Sequence, residues 1–335
     1  MYLSCEQALS LQEIESAKIT ILVDNITDRL LPGSALVKRP LFTSDQRITK
    51  SPRAEHGFSA FCEITYIADN DVTITNKFLF DTGVTEDAII YNSDIFGINL
   101  QDVETIILSH GHFDHVSGLI STLQRIKKPI DIIVHPDAFL KRWLVFPNGN
   151  KARLDTIDEK AVEQSGGIIR KTKQASFFPG NKFDKGANNN RVLITGEIPR
   201  ITDFEKGFPL QYKEGKNESD LIPDPFVNDD QALVMNVRGK GLVILTGCGH
   251  AGIINTIDYA RKVTGIKKIY ALIGGFHLTG EAYERLIPVT VEEIKKARPT
   301  YIVPCHCSGW KATNEIINAM PESYIQNSVG STFFF

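Results

Sequence analysis

At 335 residues the chain suits one large α/β domain, and its 42% apolar content supports a sizeable core. A formal charge of −3 excludes the strong basic excess of a broad nucleic-acid footprint. No run reaches the roughly 18 apolar residues of a membrane helix, and Met1–Ala17, carrying Glu6, Glu13 and Glu15, lacks the basic start and apolar run of a signal peptide, so a cytoplasmic protein without a membrane partner is expected.

The early chain alternates apolar and polar residues. Ile19–Val23, Phe58–Ile67, Asp71–Ile74 and Asn76–Phe80 read as strands, with a turn at Asp69-Asn70-Asp71. Thr105–Leu108 is a short apolar strand that leads into a histidine-rich loop. A helix is expected from Asp114 to about Ile126, because Leu119, Leu123 and Ile126 recur at helical spacing. Ile130–Val134 is the next strand. From about 137 to 230 the periodicity fades into turn-rich stretches such as Pro147-Asn148-Gly149-Asn150, Gly166-Gly167, Pro179-Gly180-Asn181 and Asn188-Asn189-Asn190, broken by a strand at Val192–Ile194. This segment reads as an insertion or cap within a single domain spanning 1–335, and as a candidate for substrate selection.

Strand-loop-helix units then recur. Leu242–Thr246 leads through Gly247-Cys248-Gly249-His250 to a helix near Ile253–Val263, and Ile269–Ile273 leads through Gly274-Gly275-Phe276-His277 to a helix at Val289–Ala297. Tyr301–Val303 leads through Pro304-Cys305-His306-Cys307 to a helix near Thr313–Met320. Strands first and β-loop-α units afterwards suggest sheets packed between helices.

Three of the eight histidines fall in the run Ser109-His110-Gly111-His112-Phe113-Asp114-His115. In an extended loop, residues two apart project to one side, so His110 and His112 can grip one ion. Asp114 and His115 fall where the next helix begins and can turn toward a second position. Imidazole and carboxylate suit zinc first, with iron or manganese as alternatives, and an incomplete protein shell leaves room for water. The remaining ligands are expected from other strand ends, at His250 and His306, with Cys248 as an additional thiolate ligand. His277 is a weaker candidate for an outer or substrate-facing role, and His135 and His56 are weaker still. The five cysteines are too few and scattered for a disulfide framework.

The motif His110-x-His112-x-Asp114-His115, preceded by Phe80-Asp81-Thr82-Gly83, resembles the metallo-β-lactamase superfamily. The resemblance implies an α/β fold, the αβ/βα four-layer sandwich, with the metal site between the edges of two sheets and Asp81 supporting the histidine loop from outside the ligand set. Further segments resemble the branch of 7,8-dihydropterin-6-methyl-4-(β-D-ribofuranosyl)-aminobenzene-5′-phosphate synthases. They are Leu22-Val23-Asp24-Asn25, Ala54-Glu55-His56-Gly57, Thr195–Arg200, Asp229-Asp230-Gln231, Thr246–His250, Gly274–His277 and Pro304-Cys305-His306. One departure stands out. Where many superfamily members carry a histidine ahead of a Gly-Asp strand, this chain has Asp229-Asp230-Gln231 and then Gly247-Cys248, so His250 becomes the choice for the third ligand of the first site.

The expected chemistry is that of one or two divalent ions lowering the pKa of a bound water. His110, His112 and His250 would hold one ion, and Asp114, His115 and His306 the other; Asp114 is alternatively a general base. The resemblance implies a small anionic substrate, phosphorylated or pterin-linked, with Arg200 and Lys206 as candidate anion contacts. Two other classes compete: a non-haem-iron redox enzyme of the same fold, and a metal-dependent small-molecule binding protein with little turnover. The Phe333-Phe334-Phe335 tail can pack internally or against another subunit, which leaves the oligomeric state open.

Overall fold

The computed structural model describes residues 8–68, 71–178 and 190–335. Two large sheets pack face to face. The first has the strand order Gly167–Lys171, Ile130–Val134, Thr105–Ile107, Thr73–Phe80, Ser59–Ile67, Ser16–Val23, Thr332–Phe334, Val37–Lys38. Its first four strands run parallel and the rest antiparallel. The second has the order Ser176–Phe177, Val192–Ile194, Ala232–Val237, Gly241–Thr246, Ile269–Gly275, Tyr301–Cys305, with Glu13–Ile14 added beside Ala232–Val237.

The period-two side-chain pattern explains the layering. Ala60, Cys62, Ile64 and Tyr66 from one sheet meet Leu233, Met235, Val243 and Leu245 from the other in the central core. The intervening residues face outward, yet they are also apolar: Val234, Leu242 and Ile244 pack under the helices Ile253–Thr264, Ile287–Ala297 and Trp310–Ala319. Phe61, Leu79 and Ile106 likewise pack under Ala88–Phe96 and Leu119–Ile126. Strands buried on both faces between helices make the four-layer αβ/βα sandwich. No helix among the described residues is long and apolar enough to cross a membrane.

The structure corrects several sequence expectations. The helix expected from Asp114 to Ile126 is two pieces, Phe113–Val116 and Leu119–Ile126. Gly118 stands at the break, where a Cβ would collide with the carbonyl oxygen of Thr82, so the chain turns there to pack on the Asp-Thr-Gly turn. The strands expected on either side of Thr75 are one strand, Thr73–Phe80, and of the turn before them Asp69 and Asn70 lie outside the described residues. The tail packs internally: Thr332–Phe334 pairs with Ser16–Val23, and Phe333 and Phe335 are buried in the central core.

The irregular 137–230 segment divides into separate parts. Arg142–Val145, Lys151–Arg153, Gln211–Glu214 and Leu221–Pro223 form a separate four-stranded antiparallel cap sheet. Gly167–Lys171, Ser176–Phe177 and Val192–Ile194 instead extend the two main sheets. Periodicity failed to show this because the strands are only two to five residues long. The stretches Pro179-Gly180-Asn181 and Asn188-Asn189 lie outside the described residues.

The segment also supplies Glu205, which caps the helix Ile253–Thr264. Its carboxylate oxygens accept from the backbone N–H groups of Ile254 at 2.9 Å and Asn255 at 2.8 Å. Burial outweighs these bonds and pushes its carboxyl from 4.5 up to about 7. The folded protein therefore binds more protons than the unfolded chain between those values, and this group lowers stability as pH rises through that window. The loss is at most about 3 kcal/mol. Glu205→Gln should flatten the fall in Tm between pH 5 and 7; an unchanged profile would assign the fall to other groups.

Candidate metal centre

Parallel strands of both sheets end on one edge, and each end turns a chemically active residue into the gap. Thr73–Phe80 ends at Asp81, Thr105–Ile107 runs into Ser109–His115, Gly241–Thr246 runs into Cys248 and His250, Ile269–Gly275 reaches His277, and Tyr301–Cys305 reaches His306. Asp81, His277 and His306 take left-handed backbone conformations, with φ of 62°, 46° and 47°, which turn the chain sharply off the strand ends.

The six residues expected as ligands come together in two triads. Ring nitrogens of His110, His112 and His250 lie within 4.8 Å of one another. Within that group His112 Nδ1 stands 3.0 Å from His250 Nε2, and His110 Nε2 is buried without a hydrogen-bond partner among the described residues. In the second group His306 Nε2 lies 3.2 Å from His115 Nε2 and 3.2 Å from Asp114 Oδ2, and His115 Nε2 lies 3.7 Å from Asp114 Oδ2. Four ligands at 2.0–2.1 Å around a tetrahedral ion are separated by roughly 3.3 Å. The donor types and these spacings fit a divalent ion in each group.

Charge is arranged accordingly. Burial pushes His110 and His250 well below their ordinary values, and burial with Arg142 brings His112 down to about 4, so all three imidazoles offer lone pairs. Burial works against a charged His115, but Asp114 and Asp81 win and raise it to about 9. Burial is likewise outweighed at Asp114, where His115 and His306 hold the carboxyl well below the usual range. Asp114 is therefore held as a carboxylate among histidines.

Neighbouring residues hold the candidate histidines in place. Asp81 Oδ2 lies 2.7 Å from His115 Nδ1 and accepts from Ser109 Oγ at 2.7 Å, while Asp81 Oδ1 accepts from the Ser109 N–H at 2.6 Å. Ser109 Oγ in turn lies 2.9 Å from His110 Nδ1. One carboxylate thus orients a histidine in each triad. Asp81→Asn should weaken metal binding roughly 10- to 100-fold; metal titration followed by calorimetry checks this, and unchanged affinity would leave Asp81 a purely structural role.

Other supports were not legible in the sequence. Asp24 Oδ1 accepts from the His306 N–H at 2.7 Å, and Asn25 Oδ1 lies 3.1 Å from His306 Nδ1. Arg142, from the cap sheet, grips Asp229 through both terminal nitrogens, and Asp229 Oδ2 also accepts from the Gly111 N–H at 2.8 Å. Gly111 itself leaves no room for a Cβ, which would strike the Ala138 carbonyl. Gln211 Oε1 meets His112 Nε2, and the Phe208 ring stacks over His250 at 5.8 Å. Asp24, Asn25 and Asp229 stood in segments quoted for the resemblance, but nothing in the sequence marked Arg142, Gln211 or Phe208.

The weaker candidates sort clearly. Cys248 Sγ lies within 4.8 Å of ligand nitrogens of His110 and His115, between the two triads, and 3.1 Å from Cys307 Sγ. His277 Nδ1 is 3.5 Å from Cys248 Sγ, beside the centre rather than in either triad. His56, ranked low in the sequence, stands closer than expected, with Nε2 3.7 Å from Asp114 Oδ2. His135 is buried away from the cluster and bonds to Asp137 N and Glu197. The guanidinium nitrogens of Arg200 donate to the backbone carbonyls of Ile198, Phe226 and Val227, so it ties loops together. Lys206 donates to the Thr202 carbonyl at 2.6 Å, and it lines a small cavity with His250 and His277.

Known proteins show which family the chain belongs to. The family model of the metallo-beta-lactamase superfamily matches residues 66–261. The chain is 30% identical over 286 residues to a protein of Methanocaldococcus jannaschii named 7,8-dihydropterin-6-methyl-4-(beta-D-ribofuranosyl)-aminobenzene-5′-phosphate synthase, a match that covers 84% of this chain and 90% of that one. An uncharacterised protein of the same organism is 32% identical over 263 residues, covering 78% and 88% respectively. Among solved structures, one described as a metal-dependent hydrolase of the beta-lactamase superfamily superposes with a TM-score of 0.67 at 20% identity, covering 95% of this chain and 98% of that one. The four layers and these matches together make this chain a member of the metallo-beta-lactamase superfamily, a fold that implies divalent metal binding.

Proposed function

We propose that this chain is a metal-dependent hydrolase or transferase acting on a small anionic substrate, phosphorylated or pterin-linked. The observation that carries the reading is the pair of buried triads, His110–His112–His250 and Asp114–His115–His306, on one sheet edge. A bound divalent ion, zinc first among candidates, supplies a lowered pKa for water and polarises a phosphoryl or carbonyl oxygen. The chain's residues do the rest. His110, His112 and His250 hold one position and Asp114, His115 and His306 the other, with Cys248 placed to contribute a shared thiolate. Asp114, turned toward His306 and His56, is also placed to take a proton during the reaction. Phe208 and the cap close over His250 and limit solvent. The pterin and phosphate parts of the reading are supported by the name of the similar synthase.

Metal analysis of protein purified without added ions, with assays on phosphomonoester, phosphodiester, ester and pterin-phosphate substrates, tests it. The expected result is stoichiometric divalent ion and a turnover that chelation removes and zinc restores. Full turnover after complete chelation overturns the reading. Stoichiometric iron with visible absorbance would move it to redox chemistry, and a retained small molecule with no turnover would move it to a binding protein.

A further inference from the structure

Three neighbouring strands of the second sheet end together at the metal centre: Gly241–Thr246, Ile269–Gly275 and Tyr301–Cys305, with Ile269–Gly275 in the middle. Just past the outer two stand Cys248 and Cys307, whose sulfurs meet at 3.1 Å. The middle strand allows the meeting because it ends in glycine. A Cβ on Gly275 would lie 2.8 Å from Cys307 Sγ and 2.4 Å from the Gly247 carbonyl oxygen. The Cys307 thiol also donates to the Cys248 carbonyl at 3.1 Å, which holds its sulfur beside that of Cys248.

The other described cysteines are engaged elsewhere: Cys62 packs in the central core, and Cys305 Sγ donates to the Val303 carbonyl at 3.3 Å. Cys248 Sγ lies within 4.8 Å of ligand nitrogens of His110 and His115, one from each triad. A change at this sulfur is therefore felt at both candidate metal positions. A disulfide holds its sulfurs at about 2.05 Å, so closing the pair needs an approach of about 1 Å, a shift that side-chain torsions can supply.

We infer that Cys248 and Cys307 form a dithiol–disulfide site, oxidised by a peroxide, that controls how tightly metal is held. One sulfur attacks a peroxide oxygen, the O–O bond breaks, and a sulfenic acid and water result. The second sulfur then attacks the first, and the hydroxyl leaves with the second thiol's proton as water. Two thiols and one hydrogen peroxide give one disulfide and two waters, with two electrons passing from sulfur to oxygen. Both cysteines are 3% exposed, which favours this small oxidant over a bulky disulfide. A thiolate is the metal-binding form of cysteine, so the disulfide withdraws Cys248 from both positions, and bound metal in turn shields it from peroxide. The metal half of the inference rests on the reading above of Cys248 as a shared thiolate; the disulfide itself does not.

In full-length protein carrying Cys5→Ser, the remaining thiols are those of Cys62, Cys248, Cys305 and Cys307. Metal-free protein is treated with hydrogen peroxide and denatured, its thiols are counted, and its peptides are mapped by mass. The count should fall from four to two, with Cys248 and Cys307 in one crosslinked pair of peptides, and dithiothreitol should restore all four. Zinc affinity by calorimetry should fall roughly tenfold on oxidation, the lower range for losing a supporting group at a metal site, and recover on reduction. Zinc-loaded protein should crosslink more slowly. Cys307→Ser, with its fold checked by thermal unfolding, should bind zinc as the reduced protein does and give no crosslink. Four thiols surviving peroxide, a crosslink to Cys62 or Cys305, or an oxidised protein with unchanged zinc affinity overturns the inference. So does a Cys307→Ser protein that loses zinc without any oxidant. Zinc bound by neither the oxidised nor the reduced form sinks the proposed function and leaves the disulfide standing. Zinc bound and turnover intact with no crosslink does the reverse.

Discussion

Alanine in place of both His110 and His112 is expected to leave the protein folded but without stoichiometric metal. Activity should fall by at least about a hundredfold, the upper end of what even outer supports of a metal site cost. The argument is geometric. His110 Nε2 has no other partner among the described residues, and His112 Nδ1 faces only the His250 ring nitrogen, so neither atom has a competing structural task. Metal content by mass spectrometry and thermal unfolding would decide it. The wild type should gain stability with zinc, about 2.7 kcal/mol at a hundred times its Kd, and the double variant should gain none at the first position. A variant that keeps its metal and its turnover would remove these histidines from the ligand set and the proposed function with them.

Arg142→Met should destabilise the fold by about 3–5 kcal/mol, the cost of leaving a buried charge without its partner. Arg142 is 2% exposed and holds Asp229, fully buried, through two hydrogen bonds, with Asp224 alongside. Burial alone would raise the Asp229 carboxyl; Arg142 outweighs it and brings the value from 3.8 down to about 2. That depressed value contributes stability at pH above 3.8 that is lost as pH falls toward 2. In Arg142→Met the loss should begin at higher pH, and urea midpoints between pH 3 and 7 would show it. Adding Asp229→Asn should recover part of the stability, because the orphaned charge goes with it. A single substitution costing less than about 1 kcal/mol would show that water reaches Asp229 in the folded state.

The parts of this molecule legible in the sequence are those encoded by local pattern. Ile130–Val134 and Val192–Ile194 stand where they were expected, since apolar β-branched runs between turn residues define strands by themselves. The six candidate ligands could be named because metal chemistry restricts the residue types and strand ends restrict their places. What could not be read depends on long-range contact. Gln211 reaches His112 across 99 positions, and Arg142 reaches Asp229 across 87, from a cap sheet whose short strands leave no periodic trace. Arg200 shows the same limit from the other side: its residue type suggested a phosphate, and the sequence held no sign of the three carbonyls to which the fold ties it.

The bond from Gly111 to Asp229, and from Asp229 to Arg142, has a thermodynamic consequence. The cap and the metal loop hold the same carboxylate, and Gln211 adds a direct link to His112. Any substrate that favours one position of the cap must therefore change the affinity of the loop for its ion. By linkage, the ion changes the affinity for that substrate by the same factor. Selectivity for the organic molecule and retention of the metal are then a single coupled quantity, and sequence changes in the cap can retune both without altering a ligand.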